Sequence, residues 1–439
     1  MSNNFTGLRL IITLSAPLRK ELLYAKIHKD TPGYIVYIFF PPSGAETGPG
    51  KAVLEIRKFK PYIKEFFKRA DIFLLCICII SSIFGITMIE KAVTGMYEGG
   101  WNMSEPAKYL TVQIASMLIG IVAFVLLTVI DVDLIAQQWK LLMMLDLVLL
   151  VALVLLGEDD GTGNRSWIRF AGIGIQPSEV IKVIYVIVAA KQMTYLKEYR
   201  DINSFISVVQ MAAHFLLIFG AIVVVSSDLG SASILLGIFL IMFFVIGARL
   251  YWFAAGGAAV AAAIPLLWNY FLKDYQKQRL IAPYDPSIDP DGWGITWQTT
   301  QSKLTLASGR LTGVEEGHSP SIFTGKHTDF IFSCVGENLG MIGCIAVILL
   351  LMIIIIHCVR VGLKSGRTFD MLVCIGVAAA VTFQTFINIG MNIGITPVIG
   401  ITLPFFSYGG SSMVTMFGAM GLVSGVKYKL KPEHFSLVY

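Results

Sequence analysis

The chain has 439 residues, of which 55% are hydrophobic and 14% are charged, and its mean hydropathy is positive. This composition predicts an integral membrane protein and excludes an ordinary soluble domain. The formal net charge of +5 is small for this length, and the basic residues cluster beside apolar runs. Such clusters are typical of membrane orientation signals, and the sequence contains no motif for binding nucleic acid.

The cysteines and histidines indicate neither a disulfide framework nor a zinc site. All six cysteines lie within or beside apolar runs, where a cysteine usually acts as a small buried hydrophobic residue. The six histidines are scattered, and neither a CxxC nor an HExxH spacing occurs. We therefore expect no structural zinc and no zinc-dependent hydrolase site.

The first 58 residues differ in kind from the remainder. Residues 34–40, YIVYIFF, predict a strand or short apolar patch, and the PPSGAETGPGK that follows predicts a flexible linker. LRLIITLSAPLRK, residues 8–20, is too short and too interrupted for a convincing signal peptide. We predict an N-terminal arm of unknown role, residues 1–58, before a transmembrane domain, residues 59–439. A cytoplasmic arm and a leader segment are both compatible with this composition.

The remainder contains about ten apolar runs that are long enough to cross a bilayer. A helix of roughly 20 residues spans the hydrocarbon core and satisfies its own backbone groups, which lipid cannot do. We therefore predict an all-α, polytopic membrane protein with about ten transmembrane helices. The predicted spans are residues 71–89, 109–130, 141–157, 175–193, 205–226, 229–248, 250–272, 329–357, 369–393 and 404–426.

The short loops predict the orientation of these spans, because lysine and arginine concentrate on the cytoplasmic side. With both termini inside, the outer side receives acidic residues such as Glu90, Glu98 and Glu158. Residues 273–328, the largest connection between spans, then face outward, and a connection of that length is usually functional. The basic residues on the cytoplasmic side are Lys58, Lys60, Lys64, Lys68, Arg69, Lys191, Lys197, Arg200, Arg249, Arg360, Lys364, Arg367, Lys427, Lys429 and Lys431.

The outer connection begins with the acidic stretch IAPYDPSIDPDGWG, residues 281–294, which contains three aspartates and three prolines. Prolines stiffen a loop, and a stiff loop holds a carboxylate in place so that it can act as a general base. A solvated turn is the alternative, because Asp, Pro and Gly are common turn residues. A calcium loop is less favoured, since the EF-hand frame would put Ser287 at the first ligand position and Gln298 where a glutamate belongs.

A second polar cluster, GNRSWIRFAGIGIQPSEVIK, precedes and enters the fourth span. Glu179 and Lys182 are three residues apart and share one helix face within the membrane, where charges are costly unless they are paired. A functional pair and a structural ion pair are both compatible with this spacing. Arg165 and Arg169 lie on the outer side, where they could bind a phosphate or serve as interfacial anchors.

Two further polar clusters mark the last three spans. HTDFIFSCVGENLG, residues 327–340, opens a span with His327 and Asp329 and places Glu337 two turns deeper. NIGMNIGITPVIGITLPFFSYGGSSM, residues 388–413, is rich in Asn, Gly and Pro and predicts broken or closely packed helix ends around a polar cavity. Small residues at an ordinary helix interface are the alternative explanation.

Together with SSDLGSA, residues 226–232, and DPSIDPDGWG…WQTTQS, residues 285–302, these clusters resemble the SEDS family of RodA, FtsW and SpoVE proteins. The resemblance runs from about Phe59 to the C-terminus, with five motifs in the family's order. It implies a ten-span peptidoglycan polymerase of the bacterial cytoplasmic membrane. Such a protein joins lipid II units outside the membrane and works with a class B penicillin-binding protein.

The resemblance also implies a catalytic residue and a reaction. The family's essential aspartate, in the pattern N/D-P-x-x-D-P-x-G-x-G, corresponds to Asp289, which would remove a proton from the 4-hydroxyl of an acceptor GlcNAc. That oxygen attacks C1 of a MurNAc, undecaprenyl diphosphate leaves, and a single displacement inverts the anomeric centre. Arg169 has no family counterpart. The supporting or substrate-binding positions implied by the motifs are Arg165, Glu179, Lys182, Gln298, Gln301, Ser302, His327, Asp329, Ser407, Gly409 and Gly410.

The chain departs from the family pattern at a few positions. Two extra residues, Ile295 and Thr296, separate the G-x-G from Gln298. The substitutions are Ser166 for a second arginine, Ser227 for a proline, Thr324 and Gly325 for a Pro-Glu pair, and Asn338 for the second of two glutamates.

Two other functions are compatible with the sequence. A lipid II transporter fits the many spans and buried charges, but it should show paired broken helices in two related halves, and no convincing repeat is visible. A non-catalytic scaffold for a penicillin-binding protein predicts that Asp289 is dispensable. A divalent cation such as Mg²⁺ beside the diphosphate is compatible with a charged leaving group, although no ligand set is readable.

Overall fold

The structure is a computed structural model that describes residues 65–98, 105–157, 166–170, 173–314 and 323–430. Two units divide the chain, Met1–Phe59 and Lys60–Tyr439, and all the described residues belong to the second. The predicted N-terminal arm therefore lies outside the described residues, and so does Arg165.

The described part of the chain is almost entirely helical, which confirms the predicted all-α membrane fold. A short antiparallel hairpin of two strands, β1 (Ile168–Phe170) and β2 (Ile173–Ile175), precedes the fifth helix. The helices are α1 (Ile72–Glu98), α2 (Pro106–Val129), α3 (Val132–Gln137), α4 (Trp139–Leu156), α5 (Pro177–Tyr199), α6 (Phe205–Ser226), α7 (Leu229–Val245), α8 (Leu250–Leu266), α9 (Asp274–Ile281), α10 (Trp297–Ser308), α11 (Ile331–Lys364), α12 (Thr368–Ile393) and α13 (Gly410–Leu430).

Each of the ten predicted spans coincides with one of the long helices, and seven of these helices are long and apolar enough to cross a membrane by length and composition. Helix α7 is apolar but shorter. Helices α5 and α13 fall outside the seven although each is longer than α7. Most of α5 is buried, and a helix surrounded by other helices can carry polar groups that lipid would not tolerate.

The predicted start of the last span is wrong. The span was expected to begin at residue 404, but residues 398–409 form irregular backbone and turns, and α13 begins at Gly410. Pro404 supplies no backbone N–H for a helix, and the neighbouring Phe405 has a positive φ of 68° that interrupts helical geometry. The apolar residues before Gly410 are buried without being helical.

Helices α2 and α13 pack closely because glycines bring their backbones together. A Cβ atom on Gly421 would lie 2.7 Å from the carbonyl oxygen of Phe124, and one on Gly120 would lie 2.9 Å from the ring of Phe417. Small residues drive such packing in membranes, where lipid is as apolar as a leucine side chain.

One end of the helix bundle gathers several ion pairs between distant parts of the chain. Lys427, at the end of α13, lies 2.7 Å from Asp71, which precedes α1. Arg367, just before α12, lies 2.8 Å from Asp133 in α3, and Lys429 also contacts Asp133. The basic residues assigned to one side of the membrane by their loops therefore meet at one end of the bundle.

The described part of the outer connection, residues 273–314 and 323–328, packs against the opposite end of α11 and α12. It contains α9, a 3₁₀ turn at Pro286–Ile288 and α10. Ser302 on α10 donates a hydrogen bond of 2.9 Å to the backbone oxygen of Asn392 on α12. A Cβ on Gly309 would lie 1.8 Å from the carbonyl oxygen of Gly336, so only a glycine permits this approach to α11.

Helix α11 is broken at Gly340, where φ is 62° and ψ is −159°. The backbone N–H groups of Met341 and Ile342 donate instead to the carbonyl oxygens of Arg310 and Leu311, at 2.9 Å and 3.2 Å. The segment directly after α10 thus satisfies the donors freed by the break. A membrane helix can be interrupted only when its freed backbone groups find such partners.

We expect Gly340→Ala to lower the free energy of unfolding by about 1–3 kcal/mol, because its backbone conformation is nearly restricted to glycine. A Cβ there would also lie 2.3 Å from the carbonyl carbon of Leu311. Thermal unfolding of the purified protein in detergent measures the change. Gly95→Ala is the control, because nothing lies within 4 Å of its added Cβ. Equal unfolding temperatures for the two variants would contradict this role of Gly340.

Candidate active site

Asp289 closes the acidic loop by accepting hydrogen bonds from the residues that follow it. Its Oδ2 accepts the Thr296 hydroxyl at 2.6 Å, the Thr296 N–H at 2.9 Å and the Gly294 N–H at 3.0 Å. Its Oδ1 accepts the Gly294 N–H at 3.1 Å. Asp285 has a different task, because it caps the 3₁₀ turn by accepting the Ser287 N–H at 2.9 Å. The rigidity predicted from prolines is therefore supplied in large part by Asp289 itself.

The two glycines of the G-x-G pattern have separate reasons to be there. Gly292 has a φ of +67°, a conformation that side chains disfavour. Gly294 lies so close to the carboxylate of Asp289 that an added Cβ would be 3.2 Å from Oδ1. The pattern is thus explained by the turn that wraps around one carboxylate.

These hydrogen bonds set the charge of Asp289. The hydroxyl and then the N–H of Thr296 hold the pKa of Asp289 below its ordinary value, with lesser effects of the nearby N–H groups of Gly294 and Trp293 and against an opposing effect of desolvation. Hydrogen bonds to the ionised form favour that form. Asp289 is consequently ionised at neutral pH and able to accept a proton.

Two buried ion pairs lie on α5 and α11. The Lys182 ammonium lies 2.9 Å from Glu179 Oε1, and both side chains are almost fully buried. Glu179 Oε2 is buried and has no hydrogen-bond partner among the described residues. Lys326 pairs with Glu337, again with both side chains buried. Lys326 was not among the predicted residues, although it directly precedes the HTDF motif and is the type of residue that a buried glutamate requires.

Asp228, in the SSDLGSA motif, connects the beginnings of α5 and α7. Its Oδ2 accepts the side-chain amide of Gln176 at 3.1 Å and the hydroxyl of Ser178 at 3.3 Å, while its Oδ1 caps α7 by accepting the Ser231 N–H at 2.9 Å. The SSDLGSA motif therefore meets the second polar cluster in space.

His327 lies among aromatic rings in the turn before α11. Its ring centroid is 5.3 Å from that of Tyr109 and 5.6 Å from that of Tyr408. Burial lowers the pKa of His327 to about 4, so the imidazole is neutral at physiological pH. Its Nδ1 is buried and has no hydrogen-bond partner in the part of the chain that the structure describes. His327 can therefore offer a neutral hydrogen-bonding nitrogen, but no positive charge.

Two asparagines on α12 bind the turn before α11. Asn388 Nδ2 donates to the backbone oxygen of Asp329 at 2.7 Å and to that of Ile401 at 2.6 Å, and Asn392 Nδ2 reaches the same Asp329 oxygen at 3.1 Å. Ser407 adds a further tie, since its hydroxyl donates to the backbone oxygen of Thr328 at 2.6 Å. The NIGMN and FFSYGG motifs thus hold one irregular junction together.

The remaining predicted positions have varied surroundings. Gln298 contacts the backbone and hydroxyl oxygens of Thr324 at 3.4 Å and 3.3 Å, whereas Gln301 contributes its backbone oxygen to Thr305 within α10. The Gly409 N–H donates to the side chain of Gln113 at 3.2 Å. Gly410 begins α13, and a Cβ added to it would lie 2.8 Å from the hydroxyl of Ser116. Arg169 is exposed on β1, opposite Gly174.

Asp289 is joined to this network through α10. Thr296, which binds the Asp289 carboxylate, is the N-cap residue of α10, and the first two turns of that helix carry Gln298 and Ser302. Gln298 reaches the turn that contains His327, and Ser302 reaches Asn392. One continuous set of contacts therefore runs from the membrane helices to the acidic loop.

The chain matches a known protein family over most of its length. The family model of the cell cycle proteins FtsW, RodA and SpoVE matches residues 71–432, which is most of the chain. The chain belongs to the FtsW/RodA/SpoVE family. This confirms the SEDS resemblance found in the motifs.

The similarity to individual FtsW/RodA/SpoVE relatives extends over nearly the whole length of those proteins. A probable peptidoglycan glycosyltransferase FtsW of Geobacter metallireducens is 30% identical over 387 residues, covering 85% of this chain and 98% of that protein. Stage V sporulation protein E of Bacillus subtilis is 29% identical over 361 residues, covering 81% of this chain and 96% of that protein.

Solved structures of the FtsW/RodA/SpoVE fold are also similar. A chain from a peptidoglycan synthase complex that coordinates polymerization and crosslinking superposes with a TM-score of 0.69 at 26% identity, covering 82% of this chain and 98% of that chain. The rod shape determining protein RodA of Thermus thermophilus gives a TM-score of 0.59 at 23% identity, covering 82% of this chain and 96% of that chain. The RodA likeness supports the fold alone.

We expect Lys182→Met to lower the free energy of unfolding by about 3–5 kcal/mol, because the change leaves the buried Glu179 without its counter-charge. The double variant Glu179→Leu/Lys182→Met should recover most of that loss, since replacing both members of a buried pair by apolar residues is often neutral. Unfolding in detergent measures both.

Lys277→Met serves as the matched control, because Lys277 pairs with a largely exposed Asp274 at 3.4 Å and exposed pairs contribute little. A double variant as unstable as Lys182→Met would show that packing, and not the charge on Glu179, causes the loss.

Proposed function

We propose that this chain is a peptidoglycan glycosyltransferase that polymerises lipid II by inverting transfer, with release of undecaprenyl diphosphate. The observation that carries the proposal is the ionised Asp289 carboxylate, held by four hydrogen bonds in a folded loop on one end of the helix bundle. Family membership and relatives named as glycosyltransferases support it. The proposal covers roles in cell elongation, division or sporulation.

In the proposed reaction, Asp289 accepts the proton of the acceptor's 4-hydroxyl while that oxygen forms a bond to C1 of the donor sugar. The bond from C1 to the diphosphate oxygen breaks, and its electron pair leaves with the diphosphate. One base is sufficient, because a single displacement forms no covalent intermediate with the protein. The leaving diphosphate is already a stable anion and requires positive charge around it more than a proton.

The positive charge for the diphosphate is assigned in this proposal to Arg165, the arginine that matches the family motif. Lys182 and Lys326 are each engaged with a buried glutamate. A divalent cation such as Mg²⁺, if bound beside the diphosphate, would supply further positive charge for the leaving group.

The proposal also includes an orientation and a partner. The ion pairs that join Lys427, Arg367 and Lys429 to acidic residues gather predicted cytoplasmic loops at one end of the bundle, which supports an extracytoplasmic acidic loop and cytoplasmic termini. Similarity to a chain of a peptidoglycan synthase complex supports a class B penicillin-binding protein as partner. The chain itself would then supply polymerisation, and the partner would cross-link.

We expect Asp289→Asn to reduce lipid II polymerisation by about 10²–10⁴-fold, the range that a general base contributes. The side chain keeps its shape and loses its ability to take the proton. The measurement is glycan synthesis by the full chain with its cognate penicillin-binding protein in liposomes containing lipid II, with the products separated by length.

Asp291→Asn is the matched control, because Asp291 is an exposed aspartate two residues away and the change in charge is identical. Partner binding should be equal for all three proteins, and their unfolding temperatures identify any loss of activity that comes from misfolding. Equal glycan synthesis by wild type and Asp289→Asn would reject Asp289 as the base. An inactive wild type would contradict the glycosyltransferase proposal and favour a transport or scaffolding function.

A further inference from the structure

Thr296 has an unusual use for its hydroxyl. It is one of the two residues by which this loop exceeds the family pattern, and it occupies the N-cap position of α10. A threonine at an N-cap usually binds the N–H groups of its own helix. Here the Thr296 side chain makes no such bond, and its hydroxyl donates to Asp289 Oδ2 at 2.6 Å.

The two oxygens of Asp289 are left in unequal states. Oδ2 accepts three hydrogen bonds, two from Thr296 and one from Gly294. Oδ1 accepts a single bond of 3.1 Å, from the same Gly294 N–H. Since an ionised carboxylate has about four acceptor sites over its two oxygens, Oδ2 is fully occupied, whereas Oδ1 retains a site that no described residue fills.

We propose that Thr296 is a positioning residue for Asp289: its hydroxyl anchors Oδ2 and leaves Oδ1 as the atom that receives the acceptor's proton. This inference rests on the proposed function, in which Asp289 is the general base. Three of the four hydrogen bonds come from backbone N–H groups, which side-chain substitution leaves in place. The Thr296 hydroxyl is the one donor that can be removed by changing a side chain.

The loss of this hydroxyl has a predictable direction. The Thr296 hydroxyl is the leading cause that lowers the pKa of Asp289, and the other causes are backbone N–H groups and desolvation, with no contribution from a charged side chain among the described residues. Asp285 and Asp291 are the neighbouring acids in the same loop. Removing the hydroxyl therefore raises the pKa of Asp289, and the acidic limb of the activity profile moves to higher pH, because only the ionised form accepts a proton.

The test compares Thr296→Val, which keeps the shape and the backbone N–H, with Thr296→Ser, which keeps the hydroxyl. Lipid II polymerisation is measured as kcat/KM against pH, using the full chain and its partner in liposomes. For Thr296→Val we expect the acidic limb at higher pH and a plateau lower by on the order of tenfold, because a displaced base costs rate even when it is ionised. For Thr296→Ser we expect the wild-type profile.

A second measurement follows Asp289 without relying on activity. Infrared difference spectra between each protein and its Asp289→Asn counterpart isolate the carboxylate band, and its disappearance with falling pH gives the pKa of Asp289. We expect Thr296→Val to raise this pKa and Thr296→Ser to leave it unchanged. If wild type proves inactive, or if Asp289→Asn remains active, the proposed function fails, while the infrared titration still decides whether Thr296 holds the carboxylate.

The inference is overturned by either of two results. The first is a Thr296→Val protein with the wild-type pH profile or the wild-type infrared titration. The second is an equal defect in Thr296→Val and Thr296→Ser, which would trace the effect to the bulk or backbone at position 296 and not to the hydroxyl. Unfolding temperatures of all variants identify any loss that comes from misfolding.

Discussion

The site depends on the hydrogen bonds by which two asparagine amides of α12 hold the turn before α11. Asn388 and Asn392 both bind the backbone oxygen of Asp329, at a junction where neither helix can satisfy that group. The backbone oxygen of Asn392 also accepts a hydrogen bond from the hydroxyl of Ser302 on α10. The same junction therefore holds the outer connection in place. Asp289 lies at the far end of this set of contacts. Its position is thus determined by polar groups buried between membrane helices, where leaving them unsatisfied would be costly.

The hydrogen bonds of the acidic loop fix the Asp289 carboxylate and keep it ionised, but they also make it a weaker base. Each hydrogen bond to Asp289 lowers its pKa and therefore weakens it as a base, whereas an ideal general base has a pKa nearer the working pH. A weak base is adequate when the leaving group departs readily and positive charge stabilises it. The reaction then depends more on cations near the diphosphate than on the strength of the base. His327 cannot meet that demand, because burial keeps it neutral. The lysines of the two buried pairs already neutralise glutamates.

The sequence was sufficient to predict the helices, because apolar runs report the thickness of the bilayer, and the motifs located most of the polar junction. It could not reveal the break at Gly340, since a glycine within an apolar run is equally compatible with a straight helix. The pairing of Lys326 with Glu337 was also hidden, because the two residues are joined by a turn whose path depends on tertiary contacts. Ser407 was predicted to be a substrate-binding or supporting residue, and its hydroxyl binds the backbone of Thr328, a contact that the motif does not reveal. A motif gives the place of a residue more reliably than its task.

Three of the positions at which this chain differs from the motif pattern lie in connections between helices. Ser227, where the pattern has a proline, ends α6 with a φ of 54°, which a proline ring cannot adopt. Thr324, in place of a proline, supplies the oxygens that Gln298 contacts. Thr296 lengthens the acidic loop, and its hydroxyl donates a hydrogen bond to the Asp289 carboxylate. A longer loop loses more conformational entropy when it is ordered. The hydrogen bond from the Thr296 hydroxyl to Asp289 offsets part of that cost and holds the carboxylate in place.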